Sequence, residues 1–367
     1  MEYDFYKAPN EDIKIYDKTE LKDSDWRDGI IIRTPNWLGD IVMTLPSLYY
    51  LKQLLPKHCG FFVATPSSYV TLFKSIPWVD VVVPLGTGHS SWTKDQLTTV
   101  QKLQAGVGVL FVNSLRSAYY FKKAGVPKIF GASNKMRNLM LTKHYKIDWH
   151  TKKQYGTTHQ AYKYLAMVNA LGKTDLKEKF PDFDLLPEKD IKVPEIKSLK
   201  EFHNILVVHP GAAYGPSKRW PAKYFKEVCH NWIQSRGGKV VVLGLKNESE
   251  TANEVIEGLP SDSVFNLVGK TSLAELMYVL KMADLCLCND SGTMHLAASL
   301  NVNGIAFFGS TDPFTTGPLG GKWIVLMNKQ DCAPCFSREC INQQKDYKCL
   351  NSITPDSVSK AIDQLLN

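Results

Sequence analysis

The stretch GIIIRTPNWLGDIVMTLPSLYYLKQLL, residues 29–55, decides the fold. Its first residues, from Gly29 to Thr34, form a short β-branched run that is typical of a buried strand. The run breaks at the turn that begins with Pro35, and apolar residues then recur at the helical spacing of Ile41, Leu45 and Leu48. A buried strand, a turn and a helix in this order predict the start of an α/β domain with a parallel sheet.

The same plan is used twice along the chain. Further strands are predicted at residues 61–64, 79–85, 107–112, 204–208, 239–245, 264–268, 285–288 and 305–308. Helices are predicted between them, for example at residues 221–235 and 250–258. A charged, proline-containing stretch near residues 172–202 separates the two halves. We therefore expect two Rossmann-like domains facing a central cleft, where ligands of such folds bind.

Five segments follow from this pattern. Residues 1–27 are predicted to be an N-terminal extension, and residues 28–175 the first Rossmann-like domain. Residues 176–202 are the linker and residues 203–350 the second Rossmann-like domain. A C-terminal helix is expected in residues 351–367, because Thr354 supplies a cap and Pro355 suits the first turn.

Composition excludes several classes of protein. The chain has 367 residues, 44% of them apolar and 22% charged, which fits two globular domains and shows no signature of disorder. It lacks the roughly 20 consecutive apolar residues of a membrane span, and its acidic start does not resemble a secretion signal. A cytoplasmic protein is expected. The net charge of +8 favours anionic partners without choosing among nucleotide phosphates, nucleic acid and an anionic membrane face.

The first chemical motif is NWLGD, residues 36–40, between the first strand and its helix. Gly39 allows the backbone to approach a ligand closely. Asp40 at the helix start is either a general base that takes a proton from an acceptor hydroxyl or a helix N-cap.

The second motif is HPGAAYGPSKRWP, residues 209–221, after the first strand of the second domain. Lys218 and Arg219 on such a loop can neutralise a diphosphate whose negative charge grows as it leaves. The competing interpretation is a solvated basic loop.

The third motif is NDSGTMH, residues 289–295, also after a strand. A helix that starts here points its N–H groups at an anion, and Ser291, Gly292 and Thr293 are small enough for phosphate oxygens to come close. Asp290 is then a cap or a ligand of sugar hydroxyls. His295 either touches phosphate or is structural.

Two glutamates and a cluster of cysteines are further candidate site residues. Glu248 or Glu250, which follow a predicted strand, could hold ribose hydroxyls. Four clustered cysteines, at 332, 335, 340 and 349, are either a zinc site or reduced thiols packed in a loop. No Asp-x-Asp pair stands where a metal would bridge a nucleotide diphosphate, so neither metal nor another cofactor is predicted.

Together these motifs resemble glycosyltransferase family nine, the heptosyltransferases of lipopolysaccharide inner-core assembly, and especially its second heptosyltransferase subfamily. The resemblance is carried by RTPNWLGDIVMTLP, by the second and third motifs, and by FGSTDP at residues 308–313. It implies a GT-B fold and an inverting, metal-independent transfer of heptose from ADP-heptose. The implied acceptor is heptosylated Kdo–lipid A at the inner face of the cytoplasmic membrane.

Carried over by position, the resemblance assigns roles to individual residues. Asp40 becomes the catalytic base and Lys218 the diphosphate ligand, while the small residues from Ser291 to Thr293 become the phosphate cradle. Glu248 is implied as the ribose ligand. Asn113 and Ser114, with Gly39, are implied on the acceptor side.

Other functions compete with this one. A transferase of the same fold with another donor or acceptor stays open. An oxidoreductase would need a Gly-x-Gly-x-x-Gly turn, which is absent after the first strand, and no nucleic-acid-binding module is recognisable.

Peripheral membrane contact is expected from basic residues interleaved with aromatic or apolar ones: Lys122, Lys123, Lys128, Lys135, Arg137 and Lys143, with Tyr119, Tyr120, Phe121, Phe130 and Met140. The alternative is an ordinary solvated face with the aromatic residues packed inside.

Overall fold

The structure is a computed structural model that describes residues 3–8, 19–86, 90–145, 159–173 and 175–367, apart from the side chain of Lys135. The chain divides into two compact units. The N-terminal unit lies within residues 10–149 and 160–184, and the C-terminal unit within residues 1–9, 150–159 and 185–367. The domain boundaries expected from the sequence stay predictions.

The N-terminal unit is built on one six-stranded parallel sheet. Its strands are β1 (Gly29–Arg33), β2 (Gly60–Pro66), β3 (Val81–Leu85), β4 (Val107–Leu110), β5 (Lys128–Ala132) and β6 (Lys143–Tyr145). They lie in the order β3-β2-β1-β4-β5-β6, and neighbours pair in parallel. The order reverses between β1 and β4, as in a Rossmann fold.

Helices cover this sheet. They are α1 (Asp23–Trp26), α2 (Leu38–Leu54), α3 (Val70–Lys74), α4 (Lys94–Lys102), α5 (Leu115–Lys123) and α6 (Gln160–Ala170). Short 3₁₀ helices occur at Ser67–Tyr69 and Lys135–Met140. Helix α2 is buried continuously from Ile41 to Leu48, and α6 packs beside it.

The C-terminal unit repeats the plan with a second parallel sheet. Its strands are β7 (Ile205–His209), β8 (Lys239–Val242), β9 (Val264–Asn266), β10 (Leu285–Asn289), β11 (Gly304–Phe308) and β12 (Trp323–Met327). They lie in the order β9-β8-β7-β10-β11-β12, with parallel pairing throughout. The reversal here falls between β7 and β10.

The helices of the C-terminal unit alternate with these strands. They are α7 (Pro194–Ser198), α8 (Ala222–Arg236), α9 (Ser249–Ile256), α10 (Leu273–Met282), α11 (Gly292–Ser299), α12 (Pro313–Thr316), α13 (Lys348–Asn351) and α14 (Pro355–Leu366). Their 3₁₀ companions are Glu188–Asp190, Leu199–Glu201, Pro216–Lys218, Lys246–Glu248 and Ser261–Ser263. As predicted, Thr354 caps α14 by accepting a hydrogen bond from the backbone N–H of Ser357.

Each unit has its own hydrophobic core. In the C-terminal unit, Trp220 stacks on Phe307 with ring centroids 4.2 Å apart, and both are buried among residues of α8, α14 and the sheet. In the N-terminal unit, Ile31, Val83 and Phe121 join the core on one face of the sheet. The strand residues of β1, β7, β10 and β11 are all buried, which is expected of a parallel sheet covered on both faces.

The α/β prediction is confirmed, and every predicted strand exists with ends shifted by a few residues. Three strands were missed: β5, β6 and β12. Strand β8 ends at Val242 rather than at 245, because the chain turns there toward the 3₁₀ helix Lys246–Glu248.

Residues 3–8 pack on the C-terminal unit. The side chain of Gln364 on α14 forms two hydrogen bonds with the backbone of Tyr3: it accepts from the N–H at 2.7 Å and donates to the carbonyl at 2.5 Å. Tyr6 donates from its N–H to the carbonyl of Trp323 on the edge strand β12, and from its hydroxyl to the carbonyl of Pro313, both at 2.7 Å. In the part of the chain that is described, no helix is both long and apolar enough to cross a bilayer.

Candidate active site

The N-terminal unit has a cavity of about 890 Å³ at the carboxyl ends of its strands. It is lined by the residues that follow β1, β3 and β4, and by Gln160 and Tyr164 of α6. The switch from β1 to β4 places the cavity where open α/β sheets bind their ligands.

Asp40 lines this cavity from the first turn of α2. The helix N-cap is Trp37, so the cap alternative for Asp40 is wrong. The Asp40 carboxylate accepts a hydrogen bond from the side-chain amide of Gln160 at 2.8 Å, and the same amide donates to the Tyr164 hydroxyl at 2.8 Å. Burial, with the nearby Asp40 charge, raises the pKa of Tyr164 far above its usual range, so that this phenol stays protonated. The Gln160 amide therefore holds the Asp40 carboxylate at the cavity wall.

The other predicted residues of this unit differ in position. Asn113 and Ser114 line the cavity after β4, and Ser114 also caps α5 by accepting from the N–H of Ser117. Gly39 lies in the first turn of α2 but does not line the cavity. Arg33, the last residue of β1, lines it and donates to the side-chain oxygen of Asn36 at 2.7 Å.

In the C-terminal unit, Asn289 joins the two loops of the second and third motifs. Its side-chain amide donates to the carbonyls of Pro210 and Gly211, at 2.7 and 3.3 Å, and its oxygen accepts from the N–H of Trp220 at 2.9 Å. Asn289 ends β10 and is fully buried. The loops after β7 and β10 are therefore fixed to each other at the second switch point.

Lys218 forms a buried ion pair with Asp290. Its Nζ lies 2.5 Å from Oδ2 of Asp290, and the side chains are only 13% and 4% exposed. The same carboxylate oxygen accepts from the Thr311 hydroxyl at 2.5 Å, and the Lys218 ammonium lies over the Tyr214 ring, 4.9 Å from its centroid. Ser291, not Asp290, is the N-cap of α11, so the cap alternative for Asp290 is wrong.

The predicted phosphate cradle is the start of α11. Ser291 makes no capping hydrogen bond with its side chain, and Gly292 and Thr293 form the first turn. Arg219 lies in the other loop and donates from its guanidinium to the carbonyl of Ala212 at 3.2 and 3.4 Å. His295 is buried, and burial, opposed by Asp290 and assisted by Lys218, lowers its pKa to about 4. It is therefore neutral at pH 7.

Glu248 lies at the end of the 3₁₀ helix that follows β8. Burial alone would raise its pKa, but the hydrogen bond and charge of His209, 3.6 Å away, and the N–H of Leu245 lower it below its usual value. A side chain at Gly211 would put its Cβ 2.0 Å from the Glu248 carboxylate. Glu248 is thus an ionised acid packed against the loop of the second motif, whereas Glu250 is exposed.

The cysteine cluster does not form a preformed metal site. Across the described residues, which include all four thiols, no group of three or more His, Cys, Asp or Glu side chains is placed to hold a metal ion. Burial, with Cys332, Cys335 and Cys340 nearby, raises the pKa of Cys349 to about 11. The neighbouring segment packs on the basic loop, where the carbonyl of Phe336 accepts from the Tyr214 hydroxyl at 2.7 Å.

The basic stretch of the N-terminal unit is only partly a surface. Phe121 and Phe130 are fully buried and Arg137 is 2% exposed, so their predicted contact with a membrane is wrong. Phe121 belongs to the core of this unit and Phe130 to β5. Lys128 pairs with Asp25 at 2.6 Å. Lys122 and Lys123 remain exposed at the end of α5.

Several site residues were not predicted. Gln160 reaches Asp40 from a helix 120 residues further along, and Tyr164 accepts from the same amide. No local pattern identifies either residue. Asn289 and Thr311 were parts of quoted motifs without a role. Asn289 ends a buried strand and Thr311 lies three residues after one. A polar side chain at such a strand end is the signal that could have identified them.

Comparison with known proteins agrees with this arrangement. The family model described as "Glycosyltransferase family 9 (heptosyltransferase)" matches residues 98–346. The chain is 30% identical to lipooligosaccharide heptosyltransferase 2 of Campylobacter jejuni, over 92% of this chain and 98% of that protein.

Solved structures share the fold. The Escherichia coli ADP-heptose LPS heptosyltransferase II matches with a TM-score of 0.73 and 23% identity, over 92% of this chain and 98% of that one. A family 9 glycosyltransferase of Veillonella parvula matches with a TM-score of 0.77 and 24% identity, over 92% and 96%. The predicted GT-B fold class is confirmed. The family model matches more than half of the chain, and the similarity to a heptosyltransferase extends over nearly all of it. The chain therefore belongs to glycosyltransferase family 9.

Proposed function

We propose that this chain transfers heptose from ADP-heptose to heptosylated Kdo–lipid A in the inner core of lipopolysaccharide, at the cytoplasmic face of the inner membrane. The observation that carries the proposal is the similarity over nearly the whole chain to a protein named heptosyltransferase 2. A cavity holding an acid in one unit, and a basic loop beside a helix start in the other, support it.

In this mechanism Asp40 is the general base. It deprotonates the acceptor hydroxyl, which attacks the anomeric carbon of the donor as ADP leaves, so the configuration at that carbon inverts. The Gln160 amide, which donates to Asp40 at 2.8 Å, keeps the carboxylate oriented. Asn113 and Ser114, which line the cavity, contact the acceptor, and Gly39, which does not line it, belongs to the turn that carries Asp40.

The donor is bound by the C-terminal unit. Lys218 and Arg219, with the first-turn N–H groups of α11, meet the diphosphate and stabilise the charge that develops as it leaves. Glu248 receives the ribose hydroxyls, and Asp290 fixes Lys218. Because these groups supply the positive charge, the transfer proceeds without a divalent metal.

Product analysis tests the proposal. The purified chain is incubated with ADP-heptose and a heptosylated Kdo–lipid A acceptor, and mass spectrometry follows the addition of one heptose. Failure to form this product, with active turnover of another nucleotide sugar, would instead favour the alternative of a different donor. Thermal-shift assays with ADP and UDP separate these quickly, since an ADP-heptose enzyme should be stabilised more by ADP.

We also propose that the N-terminal unit contacts the membrane that holds the acceptor. Exposed apolar side chains lie on α5 and the adjoining 3₁₀ helix Lys135–Met140: Leu115, Tyr119, Met136 and Leu139, which are 42%, 45%, 70% and 82% exposed. Lys122 and Lys123 flank them, and the Lys123 ammonium lies 5.7 Å from the Tyr119 ring centroid. Apolar side chains bordered by lysines suit an anionic leaflet.

Liposome sedimentation tests this contact. Binding to anionic vesicles should weaken as salt rises and should fall in Leu139→Glu and in the Lys122→Glu/Lys123→Glu pair. Ile341→Glu is the matched control, because Ile341 is also exposed, at 58%, but belongs to the other unit. Equal loss in the control, or no binding by the wild type at low salt, would contradict the proposal.

A further inference from the structure

Two arginines of the N-terminal unit are buried without a carboxylate partner. Arg33 is 6% exposed and Arg137 is 2% exposed. Within the described residues, neither forms an ion pair. The Nε of Arg33 and the Nε and Nη2 of Arg137 also lack a hydrogen-bond partner. Buried charges in proteins are usually paired, so this combination requires an explanation.

Both side chains remain cationic at neutral pH. Burial lowers the pKa of Arg33 and of Arg137 to about 10, which is still well above 7. Their partners are neutral: Arg33 donates to the carbonyl of Thr34 and the side chain of Asn36, and Arg137 donates to the side chain of Asn113. Two positive charges are therefore held at this edge of the sheet without compensation.

The arrangement faces the cavity. Arg33, Asn36 and Asn113 line it. Each asparagine uses its side-chain oxygen to accept from an arginine, at 2.7 Å for Asn36 and 3.1 Å for Asn113. What remains on each amide is its NH₂ group, a double donor. This part of the wall offers a cation and two sets of N–H donors.

We propose that the cavity binds an anionic oxygen group of the acceptor through Arg33, Asn36 and Asn113, and that Arg137 positions Asn113. The group is a carboxylate or a phosphate, since both accept several hydrogen bonds from such donors. The inference rests on the proposed function, because it takes the ligand of this cavity to be the acceptor.

An arginine that binds an anionic ligand differs from a purely structural arginine in its effect on stability. A structural arginine stabilises the fold, so its loss lowers the melting temperature. An arginine buried without a counter-charge costs desolvation energy in the free enzyme, and that cost is offset only when the anion binds. Removing it should leave the unliganded protein as stable as before, or more stable.

Arg33→Met is the primary variant, and Arg33→Lys retains the charge if the first variant folds poorly. Lys102→Met is the matched control, because it removes one positive charge from an exposed position on α4 outside the cavity. For Arg33→Met, we expect the acceptor KM to rise roughly 10- to 100-fold, the size of one charge-assisted hydrogen bond. The ADP-heptose KM should stay unchanged and the melting temperature should not fall. A lower melting temperature with an unchanged acceptor KM would overturn the proposal.

Two modified acceptors identify the anion. One has the carboxyl of its acidic sugar converted to a methyl ester, and the other is dephosphorylated. The modification that removes the difference in acceptor KM between the wild type and Arg33→Met identifies the anionic group that Arg33 binds. A full Arg33→Met penalty with both modified acceptors would refute anion binding. Absence of product from the wild type with the unmodified acceptor would instead refute the proposed function.

A double-mutant cycle tests the positioning role of Arg137. Arg137→Met and Asn113→Ala should raise the acceptor KM by similar factors, and the double variant should raise it no further, because both remove the same contact. Additive effects would show that Arg137 does not act through Asn113.

Discussion

The ion pair between Lys218 and Asp290 allows a quantitative test of the donor site. Lys218→Met keeps the length of the side chain but removes the ammonium that lies 2.5 Å from Asp290. The carboxylate is then left 4% exposed, with the Thr311 hydroxyl as its remaining donor. Asp290→Asn removes the opposite charge, and the double variant removes both.

The geometry sets the size of the effect. Breaking a buried ion pair by removing one partner costs about 3–5 kcal/mol. Lys218 keeps 13% exposure and Thr311 still donates to Asp290, so the lower end of that range applies. For a unit of this size, about 3 kcal/mol corresponds to a melting temperature lower by roughly 6–12 °C. The double variant should recover most of the loss, because no unpaired charge stays buried.

Thermal unfolding of the four proteins, followed by circular dichroism and calorimetry, measures the coupling between the two residues. Titration calorimetry with ADP measures the functional effect. Lys218→Met should weaken ADP binding roughly 10- to 100-fold. Asp290→Asn should change it far less, because it removes the partner that fixes Lys218 but also removes an anion near the diphosphate. The reasoning is refuted if Lys218→Met melts within about 1 °C of the wild type and binds ADP normally.

Three further predictions concern the chemistry. Asp40→Asn should lower kcat by about two to four decades with unchanged ADP affinity, because it removes the general base; near-normal turnover would exclude that role. Activity should survive EDTA, and complete loss restored by magnesium or manganese would contradict the metal-independent mechanism. The free energy of unfolding should fall by about 3 kcal/mol as the pH drops from 6.5 to 4, because unfolding frees His295, with its folded pKa of about 4, to take up a proton. His295→Gln should flatten that decline in urea titrations, and an unchanged pH profile would show that His295 is not its source.

Much of the fold could be predicted because parallel strands are buried on both faces. The runs before Thr34, Pro210 and Asp290 are apolar without alternation, and each is followed by polar or small residues at the strand end. Those strand ends are where the cavity and the Lys218–Asp290 pair lie. The missed strand β6 has only three residues, and β5, KIFGA, mixes a lysine and two small residues with its apolar ones. Strand β12, WIVLM, is an apolar run that periodicity cannot distinguish from a buried helix segment.

The rest of the site depends on contacts between distant positions. Lys218 and Asp290 are 72 residues apart, and Gln160 lies 120 residues from Asp40. Burial of Arg33 and Arg137 depends on the packing of whole elements, which composition does not reveal. Phe121 was expected at a surface because a nine-residue helix with lysines at its end does not show which side faces the sheet.

The contacts of Tyr3 and Tyr6 have a consequence for biosynthesis. Translation produces these residues well before their partners on β12 and α14, which emerge more than 300 residues later. At about 5–20 residues per second, the delay is on the order of 20–70 s. During that interval residues 3–8 are available to chaperones, and Tyr6 can bond to the edge strand of the C-terminal unit only after β12 has emerged. A fusion partner placed before Tyr3 would therefore disturb the C-terminal unit rather than the unit that follows it in the sequence.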